Sequence, residues 1–533
     1  MKKYIYFVYC LLSSVLLCLP WYDYIPGILL WIALLPVLIA EDELTKLKVK
    51  NISVYFFLCF FTWGVLSVWW VAKSSFLGAL FSIIIMSTQM VIIFYIYHLT
   101  KKKINATTGY IVLISSWLTM EYLSFNFELS FPWIILGNGL AKDVKLIQWY
   151  EYTGVLGGSL WILIINVLLF ITYKSHLNKQ KQKRNILIVI VTCIILTPSL
   201  ISYFQFKSYD EHANPCRILL LQPNIDPYSE KFYALNNNDQ LNIILSLAGS
   251  NIQNNTNYII APETSIVNLV YENEIKKDSS IIKVSDFIHK HPGIHFIMGL
   301  FSYKTYETND ILPPTAKKLL GESVYYDNFN SSMQIDSSPN IQLYHKSKLV
   351  PGVEVIPFSD KFPFLDNLAI NLGGITGTLG YQKERTIFRS NDSKFCIGTV
   401  ICYESVYGEY YSEFIKKGAN LMVMITNDGW FQYPGHKQLL YFSSIRAIET
   451  RRSIARCANT GISAFINQKG EILLHTDWWK REILMGTINA NNNVTFYTKH
   501  GDYIGRFSVF ILLIIILGLI IRFLYMKFIK KKI

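Results

Sequence analysis

The chain has 533 residues, of which 51% are hydrophobic and only 16% charged, with a mean hydropathy of +0.28. Soluble domains carry about a quarter charged residues, so neither an ordinary cytosolic enzyme nor a disordered chain fits. The net charge of +13, from 50 Lys+Arg against 37 Asp+Glu, suits nucleic acid or lysine-rich loops inside a membrane, and lysine placement decides between them.

In chain order, apolar runs near the roughly 20 residues that cross a bilayer occur at Tyr4–Leu19, Ile25–Ala40, Ile52–Ala72, Phe76–Leu99, Thr108–Leu123, Val155–Tyr173 and Ile186–Phe206. An eighth lies at Ile504–Met526. The first two are short and flank Trp21–Tyr24, as a tight helical hairpin would. Buried core helices are the plainer use of an apolar run, but so many in succession point to a membrane. Lysines cluster at Lys2 and Lys3, Lys46 to Lys50, Lys101 to Lys103, Lys174 to Arg184 and Lys527 to Lys532. The alternate connections hold only Lys73, Lys142 and Lys145. The positive-inside rule then puts both termini in the cytoplasm and the large segment between spans seven and eight outside it. Topology accounts for the basic charge, so nucleic acid is not an expected partner. The first run lacks a small-x-small cleavage site and is read as a span, not a cleaved signal. Trp21, Tyr22, Trp69, Trp70, Trp149 and Tyr150 lie near span ends, as an interfacial belt would.

From Pro215 to Asn493 the pattern changes. Short apolar or β-branched runs (Cys216–Leu221, Tyr258–Ile260, His295–Leu300, Ile341–Tyr344, Phe395–Ile401, Leu421–Ile425, Ile462–Ile466, Glu471–Leu474) alternate with helix-like stretches at Asp239–Ile252, Ile281–His289, Tyr407–Lys417 and Gly435–Arg456. This predicts an α/β sheet fold, with Tyr306–Ser323 as a surface insertion. The expected domains are 1–210 (seven helices), 211–495 (catalytic) and 496–533 (a last helix and basic tail).

In such sheets chemistry gathers beyond the carboxyl ends of strands. Tyr258–Ala261 leads to Pro262-Glu263, Ile341–Tyr344 to His345-Lys346, Ile397–Ile401 to Cys402-Tyr403-Glu404, and Leu421–Ile425 to Thr426-Asn427-Asp428-Gly429-Trp430. A thiolate attacks a carbonyl, a carboxylate can take the thiol proton, and an ammonium can hold the oxyanion. Taken singly, each has a plainer use: a strand-end Cys as a small hydrophobe, a Glu as a surface carboxylate or cap, a Lys as a solvated charge. Cys10, Cys18, Cys59 and Cys193 fall in spans, and Cys216, Cys396, Cys402 and Cys457 in the exported segment. Their spacing suggests no metal site and leaves the pairing of Cys216, Cys396 and Cys457 open.

Pro262-Glu263, Tyr344-His345-Lys346, Leu349-Val350-Pro351, Ile401-Cys402-Tyr403-Glu404 and Asn427-Asp428-Gly429-Trp430, in that order, resemble the nitrilase superfamily, an αββα sandwich with a Glu–Lys–Cys triad. With seven spans before the domain, one after it, and Phe131-Pro132-Trp133 between the fifth and sixth, nearly the whole chain is similar to the apolipoprotein N-acyltransferase family. The resemblance implies Glu263 as general base, Cys402 as nucleophile and Lys346 as the oxyanion cation. It implies Glu354 as a second, supporting carboxylate, Tyr403 and Glu404 beside the nucleophile, Asn330 in a Tyr-x-x-x-Asn-Ser stretch, and Trp430 in the substrate cleft. Phe232 stands where the family often has Trp, and Gly352-Val353-Glu354-Val355 where it commonly has Phe-Gly-Glu-Tyr. The resemblance further implies no cofactor or metal, a membrane phospholipid as acyl donor, a diacylglyceryl lipoprotein as acceptor, and a bacterial inner-membrane protein with its catalytic domain in the periplasm.

The aromatic strip from Trp117 to Trp133 is a candidate lipid entry or plain packing. Two rivals remain: a membrane-tethered amidase using the same triad, and a transporter with an exported binding domain. Ionisable residues in mid-span would mark the latter, whereas Glu121 and Glu128 fall at a span end and in the next loop.

Overall fold

The computed structural model describes residues 3–127, 131–307, 310–319, 323–359, 361 and 377–532. Glu128 lies outside them. The chain divides into a helical unit, Met1–Ala72, Ala79–Lys207 and His500–Ile533, and a mixed unit, Lys73–Gly78 and Ser208–Lys499.

Among the described residues of the helical unit, five helices are long and apolar enough to cross a membrane: Tyr4–Trp21, Phe76–Lys103, Tyr150–Leu177, Lys181–Ser208 and Tyr503–Arg522. The other three expected spans differ. Ile25–Ala40 is broken into a 3-10 turn, Gly27–Trp31, and a helix, Leu35–Lys46, with Pro in its first turn. That helix runs on past the apolar stretch because its carboxylates are paired. Glu41 takes His98 at 2.8 Å and Lys101 at 2.5 Å, and Asp42 takes Lys174 at 2.7 Å. Ser53–Val68 is apolar but short. Ala106–Ser124 is helical but more polar. The aromatic residues also depart from the belt reading: Trp21, Trp70 and Tyr150 are buried, and only Trp69 of the tryptophans there is exposed. Trp117 packs among Phe60, Trp63 and Phe94, and Trp133 lies 5.0 Å from Trp70. Both are interior packing rather than an open lining. Glu121 is buried, accepting Trp117 Nε1 at 3.0 Å and the Leu136 amide at 2.8 Å.

The mixed unit holds two sheets. The first runs, in spatial order, Glu482–Asn489, Pro215–Gln222, Tyr258–Ile260, His295–Tyr306, Tyr325–Ile335 and Lys317–Lys318. Ile266–Tyr271 joins beside His295–Tyr306, and Gln342–His345 beside Tyr325–Ile335. The second runs Ile472–His475, Ala464–Ile466, Ile454–Ala458, Leu421–Thr426, Cys396–Ile401 and Ile387–Arg389. Central parallel strands such as Leu421–Thr426 are buried throughout, which is why they read as unbroken apolar runs. Helices Asn237–Gly249 and Ser279–His289 supply Leu241, Ile244, Ile281 and Val284 to the core of the first sheet. The Cys457 thiol, on the second sheet, donates to Leu221 O and Ile260 O of the first, both at 3.2 Å. The strand and helix pattern had predicted an α/β sheet fold, and the two packed sheets are what the resemblance implied.

Three readings need correction. The helix expected over Gly435–Arg456 stops at Thr450, where Arg451 turns left-handed (φ 49°), and Ile454–Ala458 is a strand. Tyr325–Ile335, eleven residues long, is absent from the apolar pattern because its Asp, Asn, Ser and Gln residues hide a buried strand, which only the resemblance implied around Asn330. Glu482–Asn489 was also missed; it pairs antiparallel with Pro215–Gln222 along its whole length. All eight cysteines are free thiols, including Cys216, Cys396 and Cys457.

Candidate active site

Glu263 follows the buried strand Tyr258–Ile260 and is itself buried. Its turn is tight: Thr264 is left-handed at φ 51°. The neighbouring strand must come close here. A Cβ on Gly299 would sit 2.5 Å from Thr264 N and 2.7 Å from Glu263 Cα, so only glycine fits. Lys346 leaves the end of Gln342–His345 and is held by its amide to Asn330 O at 2.8 Å. The Lys346 ammonium donates to Glu354 Oε1 at 2.9 Å and Glu263 Oε1 at 3.3 Å. Asn330 Nδ2 donates to the same two oxygens, at 2.9 and 2.8 Å. The outer oxygens are also satisfied: Glu263 Oε2 takes the Asn427 amide at 3.1 Å and Glu354 Oε2 the Val350 amide at 2.9 Å. Gly352-Val353-Glu354-Val355, where the expected motif departs, closes as a tight turn, with Gly352 at φ 84° and Glu354 N bonded to Val350 O. Glu354 therefore keeps its place.

Cys402 ends strand Cys396–Ile401 and opens a 3-10 turn, Cys402–Val406. Its φ of 51° is left-handed, a strain on the order of 1–3 kcal/mol for a side chain of this kind. The fold thus holds the thiol at a sharp elbow. Ser405 Oγ pins Cys402 O at 2.8 Å. Burial pushes the Cys402 thiol up, the Glu263 carboxylate adds to this, and Lys346 opposes it. The raised pKa favours the protonated thiol at neutral pH. Burial works against the Lys346 ammonium, yet Glu263 and Glu354 outweigh it and hold its pKa above the usual lysine range. The site therefore combines a buried thiol, two buried carboxylates and a buried ammonium.

Glu404 fastens the elbow. It accepts Ile401 N at 2.8 Å, Ser347 N at 2.7 Å, and the hydroxyls of Tyr344 (2.7 Å) and Tyr410. One carboxylate thereby ties the strand that leads to Cys402 to the loop that follows Lys346. Tyr403 is buried and packs edge-on against Tyr407 at 5.4 Å. Trp430 stands 4.9 Å from Tyr228 and, nearly parallel, 6.4 Å from Phe232, which lies 6.3 Å from Phe301. Phe232 keeps the stacking that an indole would give. Lys73 and Ser74 belong to this unit too: Ser74 Oγ donates to Trp430 O at 2.7 Å and the Lys73 ammonium lies over the Tyr228 ring. All nine singled-out residues lie in this one unit, and Glu263, Asn330, Lys346 and Glu354 are bonded together.

Sequence reasoning placed Lys231 beside Phe232, where the resembled family often has Lys-Trp, but gave it no role. It is 2% exposed, and its ammonium donates to Glu263 O at 2.9 Å. Its neighbour Phe232 drew notice, but nothing in the local pattern marks a lysine as buried. Thr426 was also passed over; its hydroxyl lowers the Cys402 thiol somewhat and donates to Asp428, which pairs with Arg456 at 2.5 Å. Among the described residues no group of His, Cys, Asp and Glu could hold a metal ion.

The family model described as carbon-nitrogen hydrolase matches residues 217–494. The chain belongs to the carbon–nitrogen hydrolase family. A second model, described as the apolipoprotein N-acyltransferase N-terminal domain, matches residues 13–168 of this carbon–nitrogen hydrolase. The chain is 28% identical over 492 residues to the apolipoprotein N-acyltransferase of Chlorobaculum tepidum, covering 89% of each chain. It is 24% identical over 517 residues to that of Geobacter metallireducens, covering 93% of this chain and 92% of the relative. Among solved structures, Nit3 of Saccharomyces cerevisiae, from the nitrilase superfamily, aligns with 52% of this carbon–nitrogen hydrolase and 90% of its own chain, at a TM-score of 0.37 and 14% identity.

Proposed function

We propose that this protein is an apolipoprotein N-acyltransferase, moving an acyl chain from a membrane phospholipid to the α-amine of a diacylglyceryl-cysteine at a lipoprotein N-terminus. The carrying observation is the buried cluster in which Lys346 and Asn330 hold Glu263 and Glu354, set with a protonated Cys402 at a strained elbow.

Glu263 takes the proton from the Cys402 thiol. The thiolate adds to the phospholipid ester carbonyl, and Lys346 balances the charge on the oxyanion. Collapse breaks the ester C–O bond, the leaving alkoxide takes the proton from Glu263, and lysophospholipid departs. The α-amine then adds to the thioester carbonyl and gives its proton to Glu263. The C–S bond breaks, and the thiolate recovers that proton. Glu354 and Asn330 position Lys346 and Glu263, Glu404 and Tyr403 support the elbow, and Trp430 and Phe232 form an apolar wall for acyl chains.

The match of residues 13–168 to an N-acyltransferase helical domain supports this over an amidase. The reading includes eight crossings of a bacterial inner membrane, both termini cytoplasmic, with boundaries 1–210, 211–495 and 496–533 and the catalytic domain periplasmic. Lysine placement supports that orientation. Lipid substrates suit such an enzyme, since drawing each CH₂ into water costs about 0.8 kcal/mol.

The test is intact-mass analysis after incubation with phospholipid, followed by a diacylated peptide. An acyl adduct on Cys402, absent in E263Q and C402S and discharged to the peptide amine, is expected. Free fatty acid as the only product would instead identify an amidase.

A further inference from the structure

Two carboxylates in this site share one ammonium. Glu263 Oε1 and Glu354 Oε1 both lie on Lys346 Nζ and both on Asn330 Nδ2. Two carboxylates this close repel one another. A proton resting on Glu263 would disable it as a base.

Lys231 lies on the other side of the Glu263 turn. It sits in the single turn Glu230–Ala234, anchored by the Glu230 and Lys231 amides to Asp226 O. Gln240 Nε2 holds Lys231 O at 2.6 Å from the helix Asn237–Gly249. The neighbouring Glu230 carboxylate is turned away, accepting the Asp226 amide at 2.9 Å. Among the described residues Lys231 forms no ion pair; its ammonium donates to Glu263 O. Burying an ammonium without a carboxylate is costly, and burial does pull this lysine down to about 7 while Glu263 resists the shift. At neutral pH Lys231 is therefore only partly charged, and Glu263 is the group that favours its ammonium form.

We propose that Lys231 is a further positioning residue for acylation, holding the Glu263 turn by its carbonyl and balancing the second carboxylate that Lys346 alone leaves uncompensated. With Lys231 charged, the site counts two carboxylates, two ammonium groups and a neutral thiol. The groups facing Glu263 are Lys231, Lys346, Glu354 and Cys402, and Asp428 beside the thiol is already paired with Arg456. This rests on the reading of Glu263 as the base.

The experiment follows Cys402 acylation by the full-length protein in mixed phospholipid micelles, between about pH 5 and 9, with thermal unfolding of each variant. K231M and K231Q remove the charge, and Gln keeps an N–H donor. Both are expected to acylate about tenfold more slowly at pH 7, with the acid limb raised by about one pH unit. K231R, still charged, is expected to keep the limb in place. An acid limb unmoved in K231M and K231Q overturns the proposal, whatever happens to the rate. Should both neutral variants fail to fold, E354Q decides: with the like charge gone its limb moves to lower pH, and an unmoved limb overturns the charge balance. Absence of any adduct in the unaltered protein would instead refute the Cys402 mechanism.

Discussion

The side-chain amide of Asn330 donates to Glu263 Oε1 at 2.8 Å. Its strand, Tyr325–Ile335, pairs with His295–Tyr306 along its full length, so the amide is placed by a rigid sheet. A hydrogen bond to a charged group contributes about 1.5–3 kcal/mol. N330A should slow Cys402 acylation by about ten- to a hundredfold, and N330D should be worse because it adds a third carboxylate. Single-turnover rates check both; an N330A rate near that of the unaltered protein would refute the role.

Glu404 predicts a loss of stability as well as activity. Removing it takes the acceptor from five donors: the buried Ile401 N and two tyrosine hydroxyls, and the half-buried Ser347 N and Lys348 N. E404A should lose on the order of 3–5 kcal/mol, and E404Q less. Thermal unfolding in detergent measures this. E404A as stable as the parent would show that the carboxylate does not tie strand to loop.

Much of this was legible from residue order. The strand ends before Glu263, Lys346 and Cys402 are apolar, short and followed by reactive side chains. Asn330 and Lys231 were harder. Asn330 sits in a strand whose polar residues hide its burial, and Lys231 in a polar turn whose burial depends on residues far along the chain.

His436 supplies a pH dependence. It is buried and stacks on Trp478 at 4.3 Å. Burial lowers its pKa to about 4, against the pull of Asp428. The folded pKa lies below the unfolded value of about 6.5. The stabilisation is therefore complete above that value and lost as pH falls towards 4, by up to about 3 kcal/mol. H436Q should show a shallower acid loss between pH 6.5 and 4. Parallel slopes for the two proteins would contradict this.

The Cys402 thiol is held above its ordinary value by burial and by Glu263. Its neutral form therefore persists past the range where a free cysteine ionises. Alkylation of Cys402 by a small haloacetamide should be slow at pH 7 and still climbing at pH 9. A plateau below pH 8, read by peptide mass mapping, would mean a resting thiolate and no need for a base in that step.

Composition and lysine placement determined by themselves that this is a helical, membrane-type chain with one large α/β domain, because span length and charge asymmetry are local properties. Among the described residues five of the eight apolar runs form helices long and apolar enough to cross a membrane, and Gly27, Pro36 and the paired Glu41 and Asp42 break and extend the helices of one other run. The Cys402 thiol, Glu263 carboxylate and Lys346 ammonium were visible one at a time at strand ends. Only tertiary structure decided that Lys346 and Asn330 share two carboxylates, that Glu404 joins a strand end to a loop, and that a lysine is buried beside Glu263. Burial and charge pairing belong to the packed chain, where water is excluded and residues over a hundred positions apart meet.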